Sequence, residues 1–83
     1  MKLRELKKKL LLKTINIKSE LISKYADQRD KITSLVDMLI VKIHNLREHT
    51  LSDFIFTIYN ISKEFPEFEE LIKIVMSYEK NTS

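Results

Sequence analysis

The chain has 83 residues, of which 43% are hydrophobic and 33% charged, so it is long enough for one folded domain and is typical of neither a disordered nor a membrane-embedded protein. It contains no glycine, no cysteine and one proline, which excludes glycine-rich phosphate loops, disulfides, thiol nucleophiles and cysteine-ligated zinc. Its charge is two-sided: residues 1–42 hold 11 Lys or Arg against 5 acids, and residues 43–83 hold 4 against 7.

The first predicted helix runs from Lys2 to about Ala26. Apolar residues recur there at spacings of three, four and seven, and acidic residues precede lysines by four positions, as in Glu5 and Lys9. A short strand over residues 10–18 is the alternative, but it would need a partner strand and a turn. The predicted apolar face comprises Leu3, Leu6, Leu10, Ile17 and Leu21, with Leu11, Ile15, Ile22 and Tyr25 beside them.

The second predicted helix runs from Asp27, its expected N-cap, to about Glu48. No glycine or proline separates it from the first helix. The alternative is therefore one merged helix of about 70 Å, at ~1.5 Å per residue, which would need a partner to cover its apolar stripe. We predict a hairpin instead. Its second apolar seam has heptad spacing and comprises Ile32, Val36, Leu39, Ile43 and Leu46.

Two shorter helices are predicted to follow. Thr50 and Asp53 form a capping pattern for the third helix, although FIFTIYNIS also has high β propensity. Pro66 ends this helix and suits the first position of a fourth, where glutamates are favourable at the positive end of the helix dipole. The sequence thus predicts an all-α bundle of about four helices, two long and two short, forming a single domain over residues 1–80 with a frayed polar tail at 81–83.

No catalytic or metal-binding pattern stands out. His44 and His49 are five residues apart and lie on different helix faces, so they cannot share a metal ion. Glu64, Glu67 and neighbouring acids flank a predicted helix start, where the helix dipole explains them. We therefore predict a protein that is not an enzyme and uses no cofactor, metal or small-molecule substrate.

A basic cluster occupies the first predicted helix. Its lysines are able to hold phosphates electrostatically, but arginine is scarce and no aromatic residue interleaves the cluster to stack on bases. A nucleic-acid-binding regulator that uses this helix is therefore the alternative function. Its contact residues would be Lys7, Lys8, Lys9 and Lys13.

A few apolar residues fall outside the predicted core faces. They are typical of a dimer or partner surface, and a short chain with a small core gains stability from association. These residues are Leu12, Met38, Val41 and Phe56.

The leading prediction is accordingly a small protein-interaction module that binds a protein partner, a second copy of itself, or both through a helical surface. An inhibitor, an immunity or antitoxin-like regulator, and an assembly adaptor all fit this description. With no signal-like or membrane-spanning run, the expected compartment is the cytoplasm. The Ile- and Lys-rich composition suggests an AT-rich source, and a stand-alone chain of this size would suit a phage, plasmid or virus.

Overall fold

The structure, a computed structural model, describes residues 2–82, and these residues form four α-helices and no strand. The helices are α1 (Leu3–Lys24), α2 (Arg29–His44), α3 (Leu51–Ser62) and α4 (Glu69–Thr82). A 3₁₀ turn precedes each of the last three helices, over Ala26–Gln28, Glu48–Thr50 and Pro66–Phe68. The predicted all-α fold with two longer and two shorter helices is confirmed, and both stretches with strand-like sequence are helical.

Helices α1 and α2 form a hairpin. The backbone leaves the helical conformation at Tyr25 (φ −130°, ψ 62°), and the Lys7 Nζ near the start of α1 donates to the His44 carbonyl oxygen at the end of α2 over 2.9 Å. The Tyr25 ring packs against Phe65, with 5.9 Å between ring centroids, so this joint is held on the turn before α4. The predicted cap at Asp27 is wrong, because Asp27 lies inside the 3₁₀ turn and α2 begins without a side-chain cap.

The predicted apolar faces meet in one core. Phe65 and Tyr78 belong to it, whereas Ile15 was predicted beside the first face but is 53% exposed. The remaining buried hydrophobic residues are Leu6, Leu10, Ile17, Leu21, Ile32, Val36, Leu39, Ile43, Leu46, Leu51, Phe54, Ile58, Phe68, Leu71 and Val75. Every helix thus contributes one stripe to a shared interior, as a bundle requires.

The turn between α2 and α3 is held by side chains. The Thr50 hydroxyl accepts from the Arg47 backbone N–H (2.9 Å) and donates to the Arg47 carbonyl oxygen (3.0 Å). Thr50 does hold the N-cap position of α3, but its hydroxyl closes the preceding turn and makes no capping hydrogen bond to α3. From α4, the Tyr78 hydroxyl donates to the Glu48 carboxylate in the same turn. This connection is therefore tied to the body of the bundle.

The other pairings set the order of the helices around the bundle. Helix α4 runs antiparallel to α1, with the Lys24 Nζ at the end of α1 lying 3.1 Å from the Glu67 Oε2 just before α4. Helix α3 packs on α4, whereas α2 and α3 make few contacts with each other, so α1 and α3 are diagonal. The seam between α2 and α3 is consequently the open side of a molecule measuring 42 × 20 × 16 Å.

The end of the chain continues the fourth helix. Helix α4 extends through Thr82, and Ser83, the last residue of the predicted frayed tail, lies outside the described residues. Fraying of residues 81–83 stays a prediction. No described helix combines the length and the apolar character that a membrane span requires.

Candidate functional site

The four apolar residues predicted to form a partner surface are all exposed. Their exposed fractions are 57% for Leu12, 36% for Met38, 58% for Val41 and 67% for Phe56. The structure places them on three different helices, and it brings only some of them together.

An open groove of about 380 Å³ lies along the seam between α2 and α3. It forms because the connection over residues 45–50 is short while the two helices that it joins pack little against each other. Leu46 and Phe54 are buried members of the core, so they supply an apolar floor. The other lining residues are Val41, Lys42 and Asn45 from the α2 side, and Thr50, Asp53 and Thr57 from the α3 side.

Of the four predicted apolar residues, Val41 lines this groove, and Met38 and Phe56 are exposed on the two helices that form it. Val41 lines it directly, and Met38 lies one helical turn before Val41 and Lys42 on the same side of α2. Phe56 is adjacent to the lining residue Thr57 and is exposed on the outer side of α3. Leu12 is separate, because α1 is diagonal to α3 across the bundle. We call Met38, Val41, Phe56 and the lining residues the groove surface.

The two walls of the groove carry opposite charges. Lys42 lies on the α2 wall and Asp53 on the α3 wall, and both are exposed. Within residues 2–82 neither forms a salt bridge, whereas Lys24, Lys31 and Lys73 each do. The groove surface therefore presents one free cation and one free anion beside an apolar floor.

The four lysines of the basic cluster do not share one face of α1. Lys7 turns toward α2, where it donates to the His44 carbonyl oxygen. Lys9 instead turns toward α4 and lines a shallow recess with Ile74 and Ser77. Lys8 lies between these directions and is exposed, while Lys13 is half-buried. The positive charge thus surrounds the start of α1.

The histidines and the acidic groups are dispersed. His44 and His49 are both exposed, and Glu48 is engaged by Tyr78 rather than by His44. The hydrogen bond to Glu48 raises the pKa of Tyr78, with burial of its ring and the negative charge of Glu48 adding to the effect. Across the described part of the chain, no three His, Asp or Glu side chains are grouped in a way that could hold a metal ion.

Several other apolar residues are exposed outside the predicted partner surface. Ile15, Tyr59 and Met76 are all more than half exposed. Tyr59 was detectable, since it lies three residues after Phe56 and falls off the buried stripe of α3. The opposed charges of Lys42 and Asp53 had no sequence signal, because only the packing of α2 beside α3 places them across one groove.

The fold and the groove surface define a small four-helix protein with an open seam between its second and third helices. No protein-family model, no curated protein and no solved structure matches the chain.

Proposed function

We propose that this chain is a small non-enzymatic protein-interaction module that binds a protein partner through the groove surface. The observation that supports this most is the open seam with an apolar floor that Val41 lines, with the exposed Met38 and Phe56 on the same two helices. The chain acts by occluding or scaffolding its partner in the cytoplasm, as an inhibitor, an immunity or antitoxin-like regulator, or an assembly adaptor does.

The composition of the groove surface fits a protein interface. Single exposed apolar residues are ordinary on any surface, but protein interfaces typically combine a desolvated apolar or aromatic centre with a polar rim. Val41 and Phe56 supply exposed apolar area, Leu46 and Phe54 supply the floor, and polar groups surround them. A protein partner is therefore the class of ligand that this surface suits best.

Affinity capture from the native host, followed by mass spectrometry, tests the proposal. Val41→Glu and Phe56→Glu place a charge on the groove surface and are expected to abolish capture of the partner, while circular dichroism still reports a folded helical protein. Leu12→Glu is the matched control, because Leu12 is equally exposed but lies away from α3. If both groove variants capture the wild-type partners undiminished, this surface is not the binding site.

A nucleic-acid-binding regulator is the second candidate, and one observation favours it. Lys8, Lys9 and Lys13 at the start of α1 form no salt bridge to any described carboxylate. Cations without an internal counter-charge are free to neutralise phosphates, with release of counterions from the nucleic acid. The spread of these lysines around α1 argues against a single contact face.

Fluorescence anisotropy with labelled DNA and RNA over a range of salt concentrations tests the second candidate. It requires affinity that falls steeply with salt and is lost when Lys7, Lys8, Lys9 and Lys13 become glutamate. The double variant Lys8→Glu/Lys9→Glu avoids the hairpin contact of Lys7 and is expected to lose most of the affinity. A control variant of equal net charge, with two lysines outside α1 changed to glutamate, is expected to retain the affinity for nucleic acid. If the two variants lose affinity equally, the lysines of α1 do not form a localised binding site.

A further inference from the structure

We infer that the groove surface is the contact face for a second copy of this chain, related to the first by a two-fold axis that runs along the α2–α3 groove. This inference rests on the proposed function and names the partner. It is supported by the arrangement of charges and apolar residues across the groove.

A two-fold axis along the groove has a definite geometric effect. It exchanges the left and right walls while it keeps each residue at the same height along the groove. Helix α2 of each copy therefore faces α3 of the other copy. Residues that oppose each other across the groove within one chain become neighbours between the two chains.

The charges are self-complementary under this operation. Lys42 and Asp53 lie on opposite walls of one groove and have no salt-bridge partner within residues 2–82. The axis places Lys42 of each copy beside Asp53 of the other, which forms two identical ion pairs. A partner with a surface of one sign would meet one favourable and one unfavourable charge, so the second copy is the better match.

The apolar residues are covered by the same arrangement. Val41 precedes Lys42 on α2, and Phe56 precedes the lining residue Thr57 on α3. When α2 of one copy lies on α3 of the other, Val41 is brought toward Phe56 of that copy, and the two floors of Leu46 and Phe54 face each other. Association removes apolar area from water, which an 83-residue chain with one small core gains from.

Sedimentation equilibrium over a concentration series, with the full chain, tests the inference. The wild-type protein is expected to be a concentration-dependent dimer. Lys42→Glu and Asp53→Lys each create two like-charge contacts and are expected to weaken dimerisation by at least about tenfold. Arg29→Glu, at the opposite end of α2, is the charge-reversal control and is expected to leave dimerisation unchanged.

The decisive samples restore the opposite charges. The double variant Lys42→Glu/Asp53→Lys is expected to dimerise again, because its two ion pairs reform with reversed signs. An equimolar mixture of the two single variants is expected to form a heterodimer, since each chain then offers the charges that the other needs. Circular dichroism of every variant verifies the helical fold.

Three results would overturn the inference: a wild-type protein that stays monomeric, a dimer unaffected by the single reversals, or single reversals that neither the double variant nor the mixture rescues. A monomer that still captures another protein through Val41 and Phe56 overturns only the second copy as partner. A monomer that captures nothing through these residues overturns the proposed function as well.

Discussion

At the scale of single residues, position on the helix decides which side chains are buried more strongly than residue type does. Ile15 is apolar but turns outward, whereas Thr14 is polar yet completely buried. Thr14 lies four residues after Leu10 and three before Ile17, so it falls on the buried stripe of α1. Its hydroxyl donates to the Leu10 carbonyl oxygen over 2.7 Å, which satisfies the polar group within the helix.

The contrast between Ile15 and Ile17 yields a stability prediction. Ile17→Val removes a methyl group from a side chain that is 2% exposed and is expected to lower the free energy of unfolding by about 0.5–1.5 kcal/mol. Ile15→Val makes the same chemical change on the surface and is expected to alter it by less than about 0.5 kcal/mol. Urea unfolding followed by circular dichroism measures both; a larger loss at Ile15 would contradict the orientation of α1.

Tyr78 yields a prediction about alkaline pH. Its hydrogen bond to Glu48 raises the pKa of Tyr78 above the ordinary value of 10.0, so the folded chain holds this proton more tightly than the unfolded chain. The contribution of this hydrogen bond to the free energy of unfolding is complete below pH 10. It is lost as the pH rises through the raised pKa of Tyr78. Urea unfolding is expected to show that, above pH 10, the free energy of unfolding falls less steeply with pH in Tyr78→Phe than in wild type. If the free energy of unfolding falls equally in both proteins, Tyr78 does not contribute to the pH dependence of stability.

At the scale of elements, the turns rather than the helices departed from prediction. The hydrophobic periodicity of α1 and α2 predicted two long helices, but Asp27 fell inside a 3₁₀ turn. Helix α1 ends at its C-cap Tyr25, whose ring packs on Phe65 some forty residues away in sequence. Pro66 does occupy the first position of a helical segment, although this segment is the 3₁₀ turn that leads into α4.

Two salt bridges between elements differ in burial and therefore in expected effect. Lys24 pairs with Glu67, whose side chain is only 17% exposed and whose Oε1 is buried without a hydrogen-bond partner. Lys31 pairs with Glu64, whose side chain is 50% exposed. Loss of Lys24 leaves a partly buried carboxylate without its cation, whereas water can solvate Glu64 when Lys31 is lost.

Lys24→Met is accordingly expected to lower the urea midpoint more than Lys31→Met does. Lys31→Met should lower the free energy of unfolding by no more than about 0–1 kcal/mol, the range for exposed ion pairs. The comparison is made at neutral pH. Equal losses in the two variants would show that the burial of Glu67 contributes nothing to stability.

At the scale of the whole molecule, some charges of the basic half of the sequence pair with charges of its acidic half. The basic half forms the α1–α2 hairpin and the acidic half forms α3 and α4, of which α4 packs against α1. Lys24 with Glu67 and Lys31 with Glu64 join the halves at one end of the bundle. The lysines at the start of α1 lie at the other end and stay without such partners.

Small-angle X-ray scattering tests the arrangement of the first two helices. Recorded on the Lys42→Glu variant, to reduce self-association, the maximum dimension is expected to be close to the 42 Å long axis of the bundle. A merged helix from Leu3 to His44 would by itself extend about 63 Å, at ~1.5 Å per residue. A maximum dimension above that length in a verified monomer would contradict the hairpin.

The sequence by itself determined the all-α class, the two longer and two shorter helices and most of the core, because helical periodicity is a local property of the chain. It also identified Met38, Val41 and Phe56 as apolar residues outside the core faces. Only the tertiary structure decided that α2 and α3 form a groove, that Val41 lines it, and that Lys42 and Asp53 lie on its two walls. These relations depend on how α2 and α3 pack, which arises from contacts between residues distant in sequence and leaves no periodic signal in either helix.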